Sequence, residues 1–188
     1  DAAARAVPAP IAGLLHRGIA EYLEAQSIAP ARIAHHYAEA GAWHRAAEFH
    51  LRAANDARRA SRRIEEVGHR ESAFACLDRA GDAEAAFEAR CASVESLILV
   101  RGVEHALRVI EDMLAAARTD AQKAAALTAR ATAALMAADH VTGVVSARQA
   151  LALAQGLGSP WPRFEAARLL AVGLAQEGRT DEAEAELA

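Results

Sequence analysis

Apolar and polar positions follow a helical period along almost the whole chain. In LLHRGIAEYLEAQ, Leu14 to Gln26, the residues Leu15, Ile19, Tyr22 and Leu23 recur at three- and four-residue spacing and share one face. Residues 33–54, IAHHYAEAGAWHRAAEFHLRAA, repeat that spacing on both sides of Gly41, with Tyr37 ahead of the glycine and Ala46 and Ala53 after it. A corner glycine followed by small residues predicts two short antiparallel helices, because close interaxial approach needs small side chains at the crossing. Four further corners follow the same plan. One is at Gly68, between Ile64 and Ala73, and the next at Arg101-Gly102, between Leu97 and Ala106. The others are at Asp139, between Leu135 and Val144, and at Gly178, between Leu174 and Ala183.

The punctuation between corners is also legible. Ala80-Gly81-Asp82 and Thr119-Asp120 each supply a stop and a cap, and residues 156–162, GLGSPWP, combine two glycines, a capping Ser159 and two prolines. A weaker break is expected near Asn55-Asp56, within a stretch that could equally be one helix from Trp43 to Val67. The pattern predicts an all-α chain, a helix-pair solenoid wound as a right-handed superhelix. Residues 1–13, with Pro8 and Pro10, are expected to be a linker, and residues 14–29 a helix ending an upstream module. Residues 30–188 then form about five helix pairs, the last truncated, at the loose period of roughly 34 to 45 residues typical of such repeats.

Composition agrees with helices. Ala, Leu, Glu and Arg are abundant, and aromatics make up 4% of the 188 residues, which leaves little to build a sheet. A formal net charge of −4 lacks the basic surface from which nucleic-acid binding draws most of its affinity, so no direct nucleic-acid contact is expected. No uncharged apolar run reaches the roughly 18 residues of a membrane span. Cys76 and Cys91 stand without a close-spaced Cys or His pattern and read as reduced thiols of a cytoplasmic protein. The chain opens at Asp1 and closes inside a helical pattern at Ala188. It is therefore expected to be a fragment, with Leu170 and Leu174 left uncovered and self-association as the consequence.

With the corners placed, the chain resembles the tetratricopeptide repeat family. Gly41 with Ala46 and Ala53, Gly68 with Ala73 and Ala80, and Gly178 with Ala183 match its turn-and-crossing pattern, and Leu170, Ala171 and Leu174 match its first helix. Val144 replaces the crossing alanine, and Arg101 and Asp139 replace the turn glycine. The order of segments carries a narrower resemblance over Leu14 to about Leu77. The helix LLHRGIAEYLEAQ, a proline-bearing link, then RIAHHYAEAGAWHRAAEFHLRAANDARR looks like the junction into the repeat region of bacterial STAND-type signal-transduction ATPases. Such proteins often carry a LuxR-type DNA-binding module, and some carry a nucleotide cyclase. The resemblance implies a repeat segment of an ATP-dependent transcriptional regulator that touches its own upstream ATPase module. The alternatives are an accessory segment of a nucleotide cyclase, or a free-standing adaptor.

Candidate chemistry is sparse. His35, His36, His44 and His50 offer no pair one helical turn apart with a carboxylate beside it, so no metal is expected; His36 should pack within its repeat and His35 face the groove. Arg58 and Arg62 are four apart and share a face that, in the groove, would suit an acidic partner; the alternative is a solvated face partly neutralised by Glu65 and Glu66. Ala126, Ala129, Ala133 and Met136 form an apolar strip, a seat for a hydrophobic peptide or small effector unless the chain or a partner covers it. Trp43 and Trp161 are expected to lock repeats together. No GxxxxGK[ST] loop and no G-x-S-x-G elbow occurs, so neither cofactor nor active site is expected within the chain.

Overall fold

The computed structural model describes residues 8–186, which form eleven α-helices and no strand. The chain divides into two compact units between Ala89 and Arg90. In the first, α1 (Ala9–Ala25), α2 (Pro30–Glu39), α3 (Trp43–Arg59) and α4 (Arg63–Ala80) each pack on the next, and α5 (Ala83–Cys91) runs across the division. The second holds α6 (Val94–Arg101), α7 (Val103–Ala116), α8 (Asp120–Met136), α9 (His140–Ala154), α10 (Pro160–Gln176) and α11 (Thr180–Ala185). Here too each helix packs on its successor, and α8 also touches α6 and α10.

One backbone device makes most of the corners. Ser27, Gly41, Ser61, Gly81, Ala138 and Gly178 all have positive φ. The amide of the following residue bonds back to a carbonyl five residues earlier, as in Ala42 to Tyr37 (2.9 Å), Arg62 to Ala57 (2.8 Å) and Asp139 to Ala134 (2.9 Å). That bond satisfies a helix-end carbonyl and turns the chain within three residues. After Gly41, Ser61, Gly81, Ala138 and Gly178 the fifth residue on is buried: Ala46, Glu66, Ala86, Gly143 and Ala183. Thr119 and Asp139 then accept hydrogen bonds from the amides of Gln122 and Thr142, capping α8 and α9. Ser159 precedes α10 without such a bond.

Several expectations are corrected. Gly68 is no corner: it lies inside α4, a Cβ added there would meet open space, and Ile64 is 73% exposed. The corner falls at Ser61 instead, so α3 runs unbroken through Asn55-Asp56. Ala73 is buried, but within α4 rather than after a turn. At the fourth corner the left-handed residue is Ala138, so Gly143 takes the crossing expected of Val144. A methyl group added at Gly143 would lie 2.6 Å from Leu135 Cδ2, and one added at Gly173 would lie 2.7 Å from Val144 Cγ2. Val144 is thus buried against α10. Leu170 and Leu174, expected to be uncovered, are buried. The linker expected over residues 1–13 lies outside the described residues as far as 7, and from Ala9 the chain is helix. Of the four apolar residues that share a face of α1, Leu23 is buried, while Leu15, Ile19 and Tyr22 are exposed.

Alanine is the commonest buried residue, joined by Ile33, Val67, Leu97, Ile110 and Met113. Ala53 and Ala106 are both buried. Polar groups close the first unit. Tyr37 stacks on Phe49 with ring centroids 5.7 Å apart and donates its hydroxyl to Glu24 (2.8 Å). Arg45 reaches the same carboxylate at 2.5 and 2.6 Å and also pairs with Glu48, tying α1, α2 and α3 together. The bonds from Arg45 and Tyr37 hold the Glu24 carboxyl below its ordinary range. Glu66, expected on a solvated face, is fully buried and accepts from Arg70 (3.1 Å) and Arg63 (3.2 Å).

The two kinds of glycine predict opposite outcomes. Gly143→Ala should overpack the α8–α9 crossing and cost about 1–3 kcal/mol, whereas Gly68→Ala, in open helix, should add about 0.5–1 kcal/mol. Urea unfolding midpoints distinguish them. Ala138→Gly should also raise stability, since a left-handed alanine costs about 1–2 kcal/mol, part of which glycine's greater chain entropy offsets.

Candidate functional site

The first helices of the last three pairs enclose a groove of about 520 Å³ within the second unit. Val94 and Glu95 reach it from α6, with Cys91 just before them. The middle helix, α8, contributes Ala125, Thr128, Ala129, Thr132 and Met136, a stripe at three- and four-residue spacing. Glu165, Arg168 and Leu169 close it from α10. Alanines make the hollow: where a leucine would fill the space between α8 and its neighbours, Ala125 and Ala129 leave it open. Met136 is 47% exposed at one end, an adaptable apolar edge.

The groove is polar along its rim. Arg168 donates from Nε and Nη2 to Glu165 Oε2 (3.3 and 2.9 Å). Thr128 and Thr132 donate their hydroxyls to the carbonyls of Ala124 and Thr128 (2.8 and 3.0 Å), a turn earlier on their own helix. Glu95 is exposed, and no hydrogen bond or ion pair engages it among the described residues.

The expected strip therefore splits. Ala129 and Met136 line the groove, but Ala126 and Ala133 are fully buried on the adjacent face of α8, in the packing between helices. The three- and four-residue spacing of alanines did not show where the groove face ends. None of His35, Arg58 and Arg62 lines this groove. Arg58 and Arg62 do not share a helix face either: α3 ends at Arg59, the chain turns at Ser61, and Arg62 precedes α4, where it pairs with Glu65 (2.9 Å). Trp43 takes the guanidinium of Arg79 over its ring at 4.8 Å. Trp161 instead stands exposed, tilted against Phe164 of its own helix, so it locks no repeat. Glu95, Thr128, Thr132, Glu165 and Arg168 carry no signal in the sequence, because nothing in one helix's pattern shows which residues of other helices it meets.

Histidines form a second grouping, in the first unit. Nδ1 of His16 and Nδ1 of His36 are 2.9 Å apart across α1 and α2, with the exposed His35 ring beside both. His50 on α3 and His69 on α4 meet at 3.3 Å between Nδ1 atoms. Each contact needs one ring to donate and the other to accept, so the accepting ring must be a neutral imidazole. Burial, with help from His69 and His35, pushes His50 down to about 4, and burial lowers His36 and His69 as well. Among the described residues no group of three or more His, Cys, Asp or Glu is placed to hold a metal ion, and no helix is long and apolar enough to cross a membrane. Cys76, buried so that its thiol is pushed up, and Cys91 form no disulfide.

Comparison with known families finds no matching family, and no curated protein matches. A solved structure that resembles the chain is the crystal structure of BtubC (BKLC) from P. vanneervenii. The identity is 18% and the TM-score 0.36 over 84% of this chain, which spans 58% of the length of BtubC.

The histidine pairs set a pH dependence. With a folded value near 4 against an ordinary 6.5, His50 takes up a proton more readily in the unfolded chain. Its contribution is complete above about pH 6.5 and falls as pH drops toward 4. Urea melts across that range should show the loss, and His50→Leu should flatten it.

Proposed function

We propose that this chain is a non-catalytic, tetratricopeptide-like binding segment, and that its α6–α8–α10 groove seats a peptide. The groove carries this reading. It is framed by the first helix of three successive pairs, floored by Ala125 and Ala129, edged by Met136, and of a volume that takes side chains and a short length of backbone. Its carboxylates face a guanidinium and solvent rather than each other.

The larger context we infer is an ATP-dependent bacterial transcriptional regulator, in which the segment relays peptide or effector binding to an ATPase module. Relay of this kind is a difference in affinity between two arrangements of the whole protein. The resemblance over Leu14 to Leu77 supports it, and so does α1. Ile11, Leu14, Leu15, Ile19 and Tyr22 are all exposed on α1, an apolar stripe that α2 leaves uncovered and that suits an upstream module.

The test is the coding sequence on either side. A GxxxxGK[ST] loop upstream and a helix-turn-helix downstream are expected. A cyclase module in the same frame would move the output to second-messenger synthesis, and the absence of both would leave an adaptor.

A further inference from the structure

We infer that the occupant of the α6–α8–α10 groove is a basic peptide segment, one that sets an aliphatic side chain beside a lysine or arginine. The inference rests on the peptide-binding reading above and adds its chemistry. The groove's one cation is matched by a carboxylate, although three of its five N–H donors stay open. Arg168 spends two of its nitrogens on Glu165 (3.3 and 2.9 Å), which matches its charge, and the hydroxyl hydrogens of Thr128 and Thr132 go to backbone carbonyls. Its acceptors are open. Glu95 carries an exposed carboxylate that no ion pair engages among the described residues, Glu165 keeps a second oxygen, and both threonine oxygens retain lone pairs.

With Arg168 and Glu165 cancelling, Glu95 gives the lining a net negative charge. A site of that sign repels carboxylates and phosphates and draws a ligand that brings donors, an ammonium or guanidinium. The apolar half sets the rest. The alanine floor between Met136 and Leu169 accepts a side chain of leucine, isoleucine or methionine size, and Glu95 at the rim is where an adjacent cation would reach. Arg58 and Arg62, the sequence's suggestion of an acidic partner, lie outside this groove.

A phage-displayed library of random nonapeptides, selected on the whole chain, tests this whatever the natural partner is. Enriched peptides, made synthetically, are titrated against the wild type, Glu95→Gln, Glu95→Lys, and two groove-filling variants, Ala129→Phe and Thr132→Met. Circular dichroism checks folding, and two filled variants are used so that misfolding of one leaves the other. The expected result is enrichment of Lys or Arg next to Leu, Ile or Met. Binding should weaken about two- to fivefold in Glu95→Gln and about tenfold or more in Glu95→Lys, fall with added salt, and vanish in a folded filled variant. Peptides that need the groove but show no basic preference, or that bind Glu95→Lys as well as wild type, overturn this inference and leave the groove reading standing. No enriched peptide, or none that the filled variants affect, overturns both.

Discussion

The fold depends on the left-handed residue at its corners. A helix ended this way has its last carbonyls satisfied and its chain reversed within three residues, so the next helix is delivered directly onto the one before. At four of the five corners the crossing five residues on is tight enough that alanine or glycine stands there, at Ala46, Ala86, Gly143 and Ala183, while after Ser61 it is Glu66. Gly143 shows the tightness most sharply, since not even a methyl group fits against Leu135. Where the corner residue is Ser27, Ser61 or Ala138 rather than glycine, the backbone carries strain that the packing it enables must offset.

Packing on alanine has a consequence for what else is buried. Small side chains remove little apolar area per residue, so helix–helix contacts here recruit polar groups as well. Glu66 occupies the crossing position after Ser61 and is answered by Arg70 and Arg63. Glu24, Tyr37, Arg45 and Glu48 join three helices through one network, and two pairs of histidines meet ring to ring. Breaking one member of such a buried pair leaves its partner desolvated and unsatisfied, which costs more than the pair itself contributes. These contacts make the first unit's stability responsive to pH, because the paired Glu24 must stay ionised and burial opposes protonation of the imidazoles.

The same small residues create the groove. On α8 one face of alanines and leucine packs into the second unit's interior, while the face with Ala125 and Ala129 meets α6 and α10 without filling the space. A hollow with an apolar floor and an acceptor-rich rim results. Its chemistry is set by three helices at once, and none of them carries it alone.

The helical period, the glycine corners at Gly41, Gly102 and Gly178, the breaks at Gly81, Thr119 and residues 156–162, and the all-helical class follow from the sequence itself. Periodicity and glycine's tolerance of positive φ are local properties, readable one segment at a time. Tertiary structure alone decided the rest. Ser61 and Ala138 are left-handed because the packed helices require it, and no propensity marks them, so Gly68 drew a corner that belonged seven residues earlier. Glu66 reads as a surface residue until Arg70 and α3 bury it. Ala129 and Ala133 look alike in one dimension, yet one lines a groove and the other the core. The physical reason is common to all three: burial and cavity shape are properties of neighbouring helices' faces taken together, and those neighbours are fixed only when the chain is folded.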